Sequence, residues 1–428
     1  MKQPAIVHVP GDKSITHRAL LLSALADGES RLDGLLESAD PRSTVTVLRS
    51  LGVPVEVTAA GRASVPGRGR RGRRSPPTQR DSGNSGTTAR LLLGVLGGSD
   101  VEAVLTGDAS LRSRPMRRVT EPLSACGARF EELGEPDRLP IRVRGTPELE
   151  PIDMVNTRSS AQVKTAMLLA GLVAGVPVTV TEQGKPRDHT ERMLGAMGAE
   201  VRSTPSESGD VIRLDPPDAL EPLRLSVPGD LSSAAFFLAL GALVGPIRVP
   251  AVGLNPTRTG ALAVMERMGV PVDRELTEDR AGEPVGDVTV RPAGLVATTV
   301  RGPEIPTLLD EIPVLAALAA RADGETRFEG IAELRVKETD RIAALAGNLR
   351  ALGVAVEEGP DFLAVRGTDR PLSGTVESFG DHRIAMAFGV LGALPDSEVR
   401  VRGASAVEVS YPGFWEELRR VTQALEAE

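Results

Sequence analysis

The side chains that could do chemistry gather in eight short stretches, most of them where an apolar run begins. The first, VPGDKSITHR (9–18), places Lys13 and Ser14 just after a Gly-Asp turn, with Arg18 one helical turn later. A helix N-terminus carries free N–H groups and a partial positive charge, so a Lys-Ser pair there reads as a grip for a phosphate or carboxylate. A P-loop would need an upstream glycine in G-x-x-x-x-G-K-[ST]; it is absent, so no nucleotide is indicated. The second stretch, SGNSGTTAR (82–90), holds Asn84, Gly86, Thr87 and Arg90, and its glycines let backbone approach a ligand closely. SRPM then sets Arg114 before Pro115. RSSAQVK (158–164) supplies Ser159, Ser160, Ala161, Gln162 and Lys164, and GKPRDHT (184–190) adds Arg187. LLDEIP (308–313) brings Asp310, RVKETDRI (335–342) brings Lys337, Glu338 and Arg341, and GDHRIAMAF (380–388) brings His382 and Arg383.

Taken singly, each has a plainer reading. Asp381, Asp340 or Thr339, Ser14 and Ser160 could be helix caps. Arg187 could be a solvated charge, His382 a structural histidine, and Lys13 with Arg18 a solvated face. The stretch SSAAFFLALGALV after Leu231 reads as core, and Cys126 as a buried, inert thiol. The joint pattern is harder to dismiss. Lys13, Arg18, Arg90, Arg114, Lys337, Arg341 and Arg383 all fall at matching places in a chain of net charge −8. Asp310 and Glu338 sit among these cations, and a buried acid pair in positive surroundings suits general acid–base work on an anionic substrate. No metal-ligand spacing, no G-x-S-x-G elbow and no G-x-G-x-x-G after a strand appears, so neither a metal nor a nicotinamide cofactor is expected.

The elements that must position these residues repeat. VPGDKS (9–14) recurs as VPGDLS (227–232), and helix starts at Ser14, Thr87, Ser160, Ser232, Glu311 and Arg383 are spaced by 73, 73, 72, 79 and 72. Each start opens an apolar helical pattern, such as Ile15, Ala19, Leu22 and Leu25 on one face. A strand-like run follows, then a second helix closed by a glycine signal: LGV 51–53, CGA 126–128, MGA 197–199, MGV 268–270, LGV 352–354. The periodicity predicts six helix–strand–helix–strand units of about 70 residues, grouped three plus three. With 428 residues and 2% aromatics, two domains with Leu, Val and Ala cores are expected. A single cysteine suits a reducing, cytoplasmic setting, and no apolar run is long enough to span a bilayer. PGRGRRGRRSPPTQR (66–80) predicts an exposed loop. The arginines of 62–80 (Arg62, Arg68, Arg70, Arg71, Arg73, Arg74, Arg80) have no aromatic partners, so a nucleic-acid arm is not favoured.

PGDKSITHR, GNSGTTAR, RPM, SAQVK, RVKETDR and GDHRIAMAF, in this order from Pro10 to about Trp415, resemble the 5-enolpyruvylshikimate-3-phosphate synthases, members of the enolpyruvyl transferase family. The resemblance implies an α/β fold, an inverse α/β barrel of six βαβαββ repeats. It implies one domain at 12–228 and a second at 1–11 plus 229–428, with the active site in the cleft between. It also implies transfer of the enolpyruvyl group of phosphoenolpyruvate to the 5-hydroxyl of shikimate 3-phosphate, on the route to chorismate and the aromatic amino acids, in a cytoplasmic monomer without cofactor, metal, membrane or nucleic acid. By the same resemblance, Lys13, Ser14, Arg18, Ser160, Ala161, Gln162, Arg187, Asp310 and Lys337 hold shikimate 3-phosphate. Lys13, Gly86, Arg114, Gln162, Arg341 and Arg383 hold phosphoenolpyruvate. Glu338, Asp310 and Lys13 carry the proton transfers, and Asn84, Thr87, Arg90 and His382 support them. Val409 stands where some members have a lysine, and Pro41 replaces a threonine of the family pattern. Gly86 is kept, which implies a glyphosate target. A specialised paralogue acting on another phosphorylated ring is the alternative. The UDP-N-acetylglucosamine enolpyruvyl transferases fit less well, because Cys126 lies at a helix end rather than on a mobile loop.

Overall fold

Local capping sets where the long helices begin. In the computed structural model, which describes residues 3–58, 61–70, 79–157 and 159–426, five inner helices start behind a side-chain cap. Asp12 accepts from the Ile15 N–H at 2.9 Å to open Lys13–Leu25, and Ser85 accepts from Thr88 at 3.1 Å to open Gly86–Gly97. Ser160 caps Ala161–Ala174, Asp230 caps Leu231–Leu243, and Asp381 caps His382–Gly392. Ile312–Ala319 has no such cap; a short 3-10 turn leads into it and Pro313 occupies its first turn. The glycines in the five helix-ending signals, Gly52, Gly127, Gly198, Gly269 and Gly353, all have positive φ, between 79° and 108°, which only glycine adopts cheaply.

The repeats are richer in strands than the periodicity predicts. In the second, Gln79–Asp81 runs parallel to Glu102–Thr106, which pairs antiparallel with Ile141–Arg144 and through it with Arg129–Glu132. The same parallel–antiparallel–antiparallel order recurs in five four-stranded sheets. The sixth sheet has two strands only, Ser373–Glu377 and Glu398–Arg402, and the chain ends in the amphipathic helix Phe414–Glu426 instead of a hairpin. Two repeats borrow their leading strand from far away. Ala5–Ile6 pairs with Ile247–Gly253 of the fourth repeat, while Arg224–Ser226 pairs with Glu29–Asp33 of the first.

The chain divides into two compact units. One comprises Gly11–Val227 with Arg280–Glu283; the other comprises Met1–Pro10, Pro228–Asp279 and Pro284–Glu428. In each, three helices lie inside and the sheets face outward. The Lys13–Leu25 helix buries all residues from Ile15 to Leu25, not one face alone, because it is an inner helix. Gly94 lets its helix lie against Ala161–Ala174: a Cβ there would stand 2.2 Å from the Ala166 carbonyl oxygen. Leu, Val and Ala dominate both cores, and the second-named unit adds a cluster of Phe236, Phe237, Tyr411, Phe414 and Trp415.

Of the arginine-rich segment, Arg71, Arg73 and Arg74 lie outside the described residues. The expected loop is shorter than 66–80, since Gln79–Asp81 is already strand. Arg62 sits in the strand Arg62–Pro66, 3.2 Å from Asp33, and Arg70 donates to the Leu172 carbonyl at 3.2 Å. Cys126 caps the C-terminus of Arg117–Ala125 and is half-buried, not fully buried as expected; burial raises its thiol pKa and keeps it a poor nucleophile.

Candidate active site

The unit built on residues 11–227 gathers cations at its three inner helix starts. Lys13, the first residue of its helix, reaches Asp40 at 2.9 Å. Arg18 is buried and held by oxygen atoms that carry no charge. Its Nε donates to Thr190 at 2.9 Å, Nη1 to the Ser14 carbonyl at 3.0 Å and Nη2 to Thr165 at 3.1 Å. Burial first, then the nearby Arg187 charge, lowers its pKa to about 10. Arg187 donates to the Ser14 hydroxyl at 3.0 Å, so Ser14 lies between two guanidinium groups.

The second and third helix starts interlock. Arg90 donates to the Gln162 amide oxygen at 2.6 Å, and Gln162 donates in turn to Thr87 at 3.0 Å. Arg114 donates to Asn84 at 2.7 Å, and Asn84 to Asp108 at 2.7 Å. Gly86 lies against both arginines: a Cβ there would stand 3.3 Å from Arg114 Nη1 and 3.3 Å from Arg90 Nη1. A hydrogen at this position keeps the helix N-terminus and two guanidinium forks open to one anion. Ser160 and Ala161 are half-buried at the third start, behind Ser159, whose φ is 48°.

The other unit gathers acids around one arginine. Arg341 is 1% exposed and opens the helix Arg341–Ala351 behind its cap, Asp340. Its Nε meets Asp381 at 2.7 Å, Nη2 meets Glu338 at 2.7 Å and Nη1 meets Asp310 at 3.4 Å. Burial alone would lower the Arg341 pKa; the carboxylates of Asp381, Glu338 and Asp310 outweigh it and raise it. Lys337 approaches Asp310 at 3.5 Å, and Arg383 donates to the Asp310 carbonyl at 3.1 Å. His382 is buried at the start of its helix. The buried acid pair expected at Asp310 and Glu338 takes a different form. Their side chains keep 15% and 22% exposure, and the arginine between them is what is buried. Both acids keep some solvent access, Asp310 from a 3-10 turn, while the buried cation fixes them.

A family model described as EPSP synthase (3-phosphoshikimate 1-carboxyvinyltransferase) matches residues 2–418. The chain belongs to the EPSP synthase family. A 3-phosphoshikimate 1-carboxyvinyltransferase of Roseiflexus sp. (strain RS-1) is 46% identical over 98% of this chain and 96% of its own length. One from Sulfurihydrogenibium sp. (strain YO3AOP1) is 44% identical over 97% of each. The structure of the EPSP synthase from Acinetobacter baumannii superposes with a TM-score of 0.84 at 36% identity, covering 98% of this chain and 95% of that one. The enolpyruvyl transferase NikO from Streptomyces tendae, at 18% identity and a TM-score of 0.76 over 97% and 94% of the two chains, shares the fold.

Several residues of these two clusters escaped sequence reasoning. Asp381 was legible as a cap, yet it is also a carboxylate partner of Arg341, as close as Glu338. Asp40, the partner of Lys13, left a signal. Arg258 follows it at the same offset that separates the two VPGD segments, and is buried beside Asp230, Ser232 and Glu311. Thr165 and Thr190 left none, since nothing local distinguishes a threonine that will hold an arginine. Among the described residues, no group of His, Cys, Asp and Glu could hold a metal ion, and no helix is long and apolar enough to cross a membrane.

Proposed function

We propose that the two clusters divide the work of one reaction, the cationic helix starts binding the substrates and the Arg341 cluster moving the protons. The chain transfers the enolpyruvyl group of phosphoenolpyruvate to the 5-hydroxyl of shikimate 3-phosphate, releasing inorganic phosphate. Lys13, Ser14, Arg18, Arg187, Ser160, the Ala161 N–H, Gln162 and Lys337 hold shikimate 3-phosphate. Gly86, Arg114, Gln162, Arg341, Arg383 and Lys13 hold phosphoenolpyruvate, whose carboxylate and phosphate suit arginine forks. Thr87, Arg90, Asn84 and His382 support these groups.

Glu338 delivers a proton to the phosphoenolpyruvate methylene and makes C2 electrophilic. Asp310, assisted by Lys13, takes the proton of the 5-hydroxyl as its oxygen bonds to C2. The tetrahedral adduct then breaks its C–O bond to phosphate, which takes the proton held by Asp310, and a methyl proton returns to Glu338. The observation that carries this reading is the sharing of Arg341 by Glu338 and Asp310, at 2.7 and 3.4 Å, which holds a proton donor and an acceptor in one fixed geometry. We read the enzyme as a cytoplasmic monomer that needs no cofactor; light scattering after size exclusion checks the oligomeric state.

Phosphate release by purified protein tests the reaction. Release that needs both substrates, and that falls about 10²–10⁴-fold in Glu338→Gln, is expected. No release with shikimate 3-phosphate would reject the assignment and leave a different phosphorylated acceptor to be found.

A further inference from the structure

The third inner helix carries a buried lysine at its fourth residue, where the other inner helices have no ionisable side chain. Lys164 is the fourth residue of Ala161–Ala174 and is 1% exposed. The fourth residues of the other inner helices are Thr16, Ala89, Ala234, Leu315 and Ala385, all buried and none ionisable. The repeat therefore packs this position without a lysine five times, and a buried ion cluster is seldom a cheaper way to fill such a place than apolar side chains.

The cluster reaches the site through one amide. Lys164 Nζ meets Glu182 at 2.9 Å and Glu191 at 2.5 Å. The other Glu182 oxygen accepts from Asn156 Nδ2 at 3.2 Å. Asn156 in turn brackets Ser160 on both sides: its Nδ2 donates to the Ser160 carbonyl at 3.1 Å, and its Oδ1 accepts from the Ser160 N–H at 3.2 Å. The turn so held contains Ser159 in the left-handed region, a conformation that needs outside support in a residue other than glycine. Chain neighbours of the cluster hold Arg18: Thr165 follows Lys164 and Thr190 precedes Glu191, and their hydroxyls lie 2.7 Å apart.

We propose that Asn156 and Glu182 are positioning residues for shikimate 3-phosphate, fixing the Ser159–Ser160 turn through the buried Lys164 cluster. This rests on the functional reading above. The groups facing Glu182 are Lys164 and Glu191 from two helices, Asn156 on the neighbouring parallel strand and Asp210 opposite it on the antiparallel strand. Burial, with Lys164 opposing it, pushes the Glu182 carboxyl up to about 7. Protonation removes the charge to which Lys164 and Asn156 are bonded, so the grip on the ring substrate weakens as pH falls through neutrality.

Steady-state phosphate release, with KM measured for each substrate from about pH 6 to about pH 8, tests the proposal. Asn156→Ala and Glu182→Gln are each expected to raise KM for shikimate 3-phosphate about tenfold, with kcat and KM for phosphoenolpyruvate within about twofold of the parent. Glu182→Gln is also expected to flatten the dependence of that KM on pH near 7 relative to the parent; the substrate's own phosphate titration is common to both. Asn156→Ala leaves the ion cluster whole, so the question stays decidable if Glu182→Gln fails to fold. An unchanged KM for shikimate 3-phosphate in folded Asn156→Ala overturns the proposal. So does a parallel loss of kcat, both KM values and Tm, which would mark a structural role. A parent protein that releases no phosphate from the substrate pair fails the functional reading itself.

Discussion

Arg18 and Arg341 are both buried guanidinium groups, yet the oxygens around them differ in kind. Arg18 bonds to two hydroxyls and a carbonyl; Arg341 bonds to three carboxylates. Neutral partners fix a cation without a bonded counter-charge, so Arg18 keeps more of its attraction for an anion, with Glu191, Asp12 and Glu283 acting on it only from a distance. Charged partners offset part of that attraction and gain orientation in return: Arg341 holds Asp310, Glu338 and Asp381 in place. The same division shows at equivalent places of the two halves. Lys13 with Asp40 in one corresponds, at the offset of the two VPGD segments, to Leu231 with Arg258 in the other. The second half has turned a half-buried cation into core and a carboxylate into a buried arginine.

The contrast breaks most severely at Asp381. Asp381→Ala leaves Arg341 without its fully buried counter-charge, which is expected to cost about 3–5 kcal/mol and to abolish phosphate release; thermal and urea unfolding measure the first part. Loss of less than about 1 kcal/mol would show that Glu338 and Asp310 suffice and that the frame is looser than its geometry. Arg18→Met tests the other side. Its partners are neutral, so the fold should lose little, while KM for shikimate 3-phosphate is expected to rise about a hundredfold for the lost charge-assisted bonds. A variant that instead unfolds would make Arg18 a structural group like Arg341.

A smaller effect concerns pH. Burial holds His17 neutral, with its pKa lowered to about 3, while its Nδ1 lies 2.8 Å from Thr44. The unfolded chain takes up a proton below about 6.5 that the folded protein refuses until about 3. Stability conferred by this site is therefore whole above about pH 6.5 and falls by about 1.4 kcal/mol per unit as pH drops toward the folded value. His17→Asn, which can keep the Thr44 bond, should flatten Tm against pH over that range. An identical slope in both proteins would place the acid sensitivity elsewhere. Gly86→Ala is expected to have the mildest consequence, since the new methyl group must displace two flexible guanidinium ends by a few tenths of an ångström. KM for phosphoenolpyruvate should rise about fivefold, with KM for shikimate 3-phosphate unchanged, for a loss of about 1 kcal/mol.

What could be read from the chain alone was local. Helix starts at Ser14, Thr87, Ser160, Ser232, Glu311 and Arg383 fall within one residue of the observed ones because Asp12, Ser85, Ser160, Asp230 and Asp381 cap their own neighbours. Lys13, Ser14, Gly86, Ser160, Asp310 and Arg383 sit at or beside those starts, while Arg114, Arg187, Lys337, Glu338 and Arg341 were legible from their own short stretches. Their partners were not. Lys13 finds Asp40 at a separation of 27, Arg18 finds Thr190 at 172, and no period in the sequence encodes such pairings. The strand count read from the periodicity fell short for the same reason: nothing local marks Arg224–Ser226 as the partner of Arg31–Asp33, near the other end of the same unit.

The exchanged leading strands also order events during synthesis. Ala5 leaves the ribosome about 240 residues ahead of its partner Ile247. At about 5–20 residues per second that strand waits roughly 10–50 s, while the whole segment Gly11–Val227 is made and can fold. One unit is thus a completed insertion before the other has its first sheet. During that interval a short apolar edge at the N-terminus must be kept from the wrong partner.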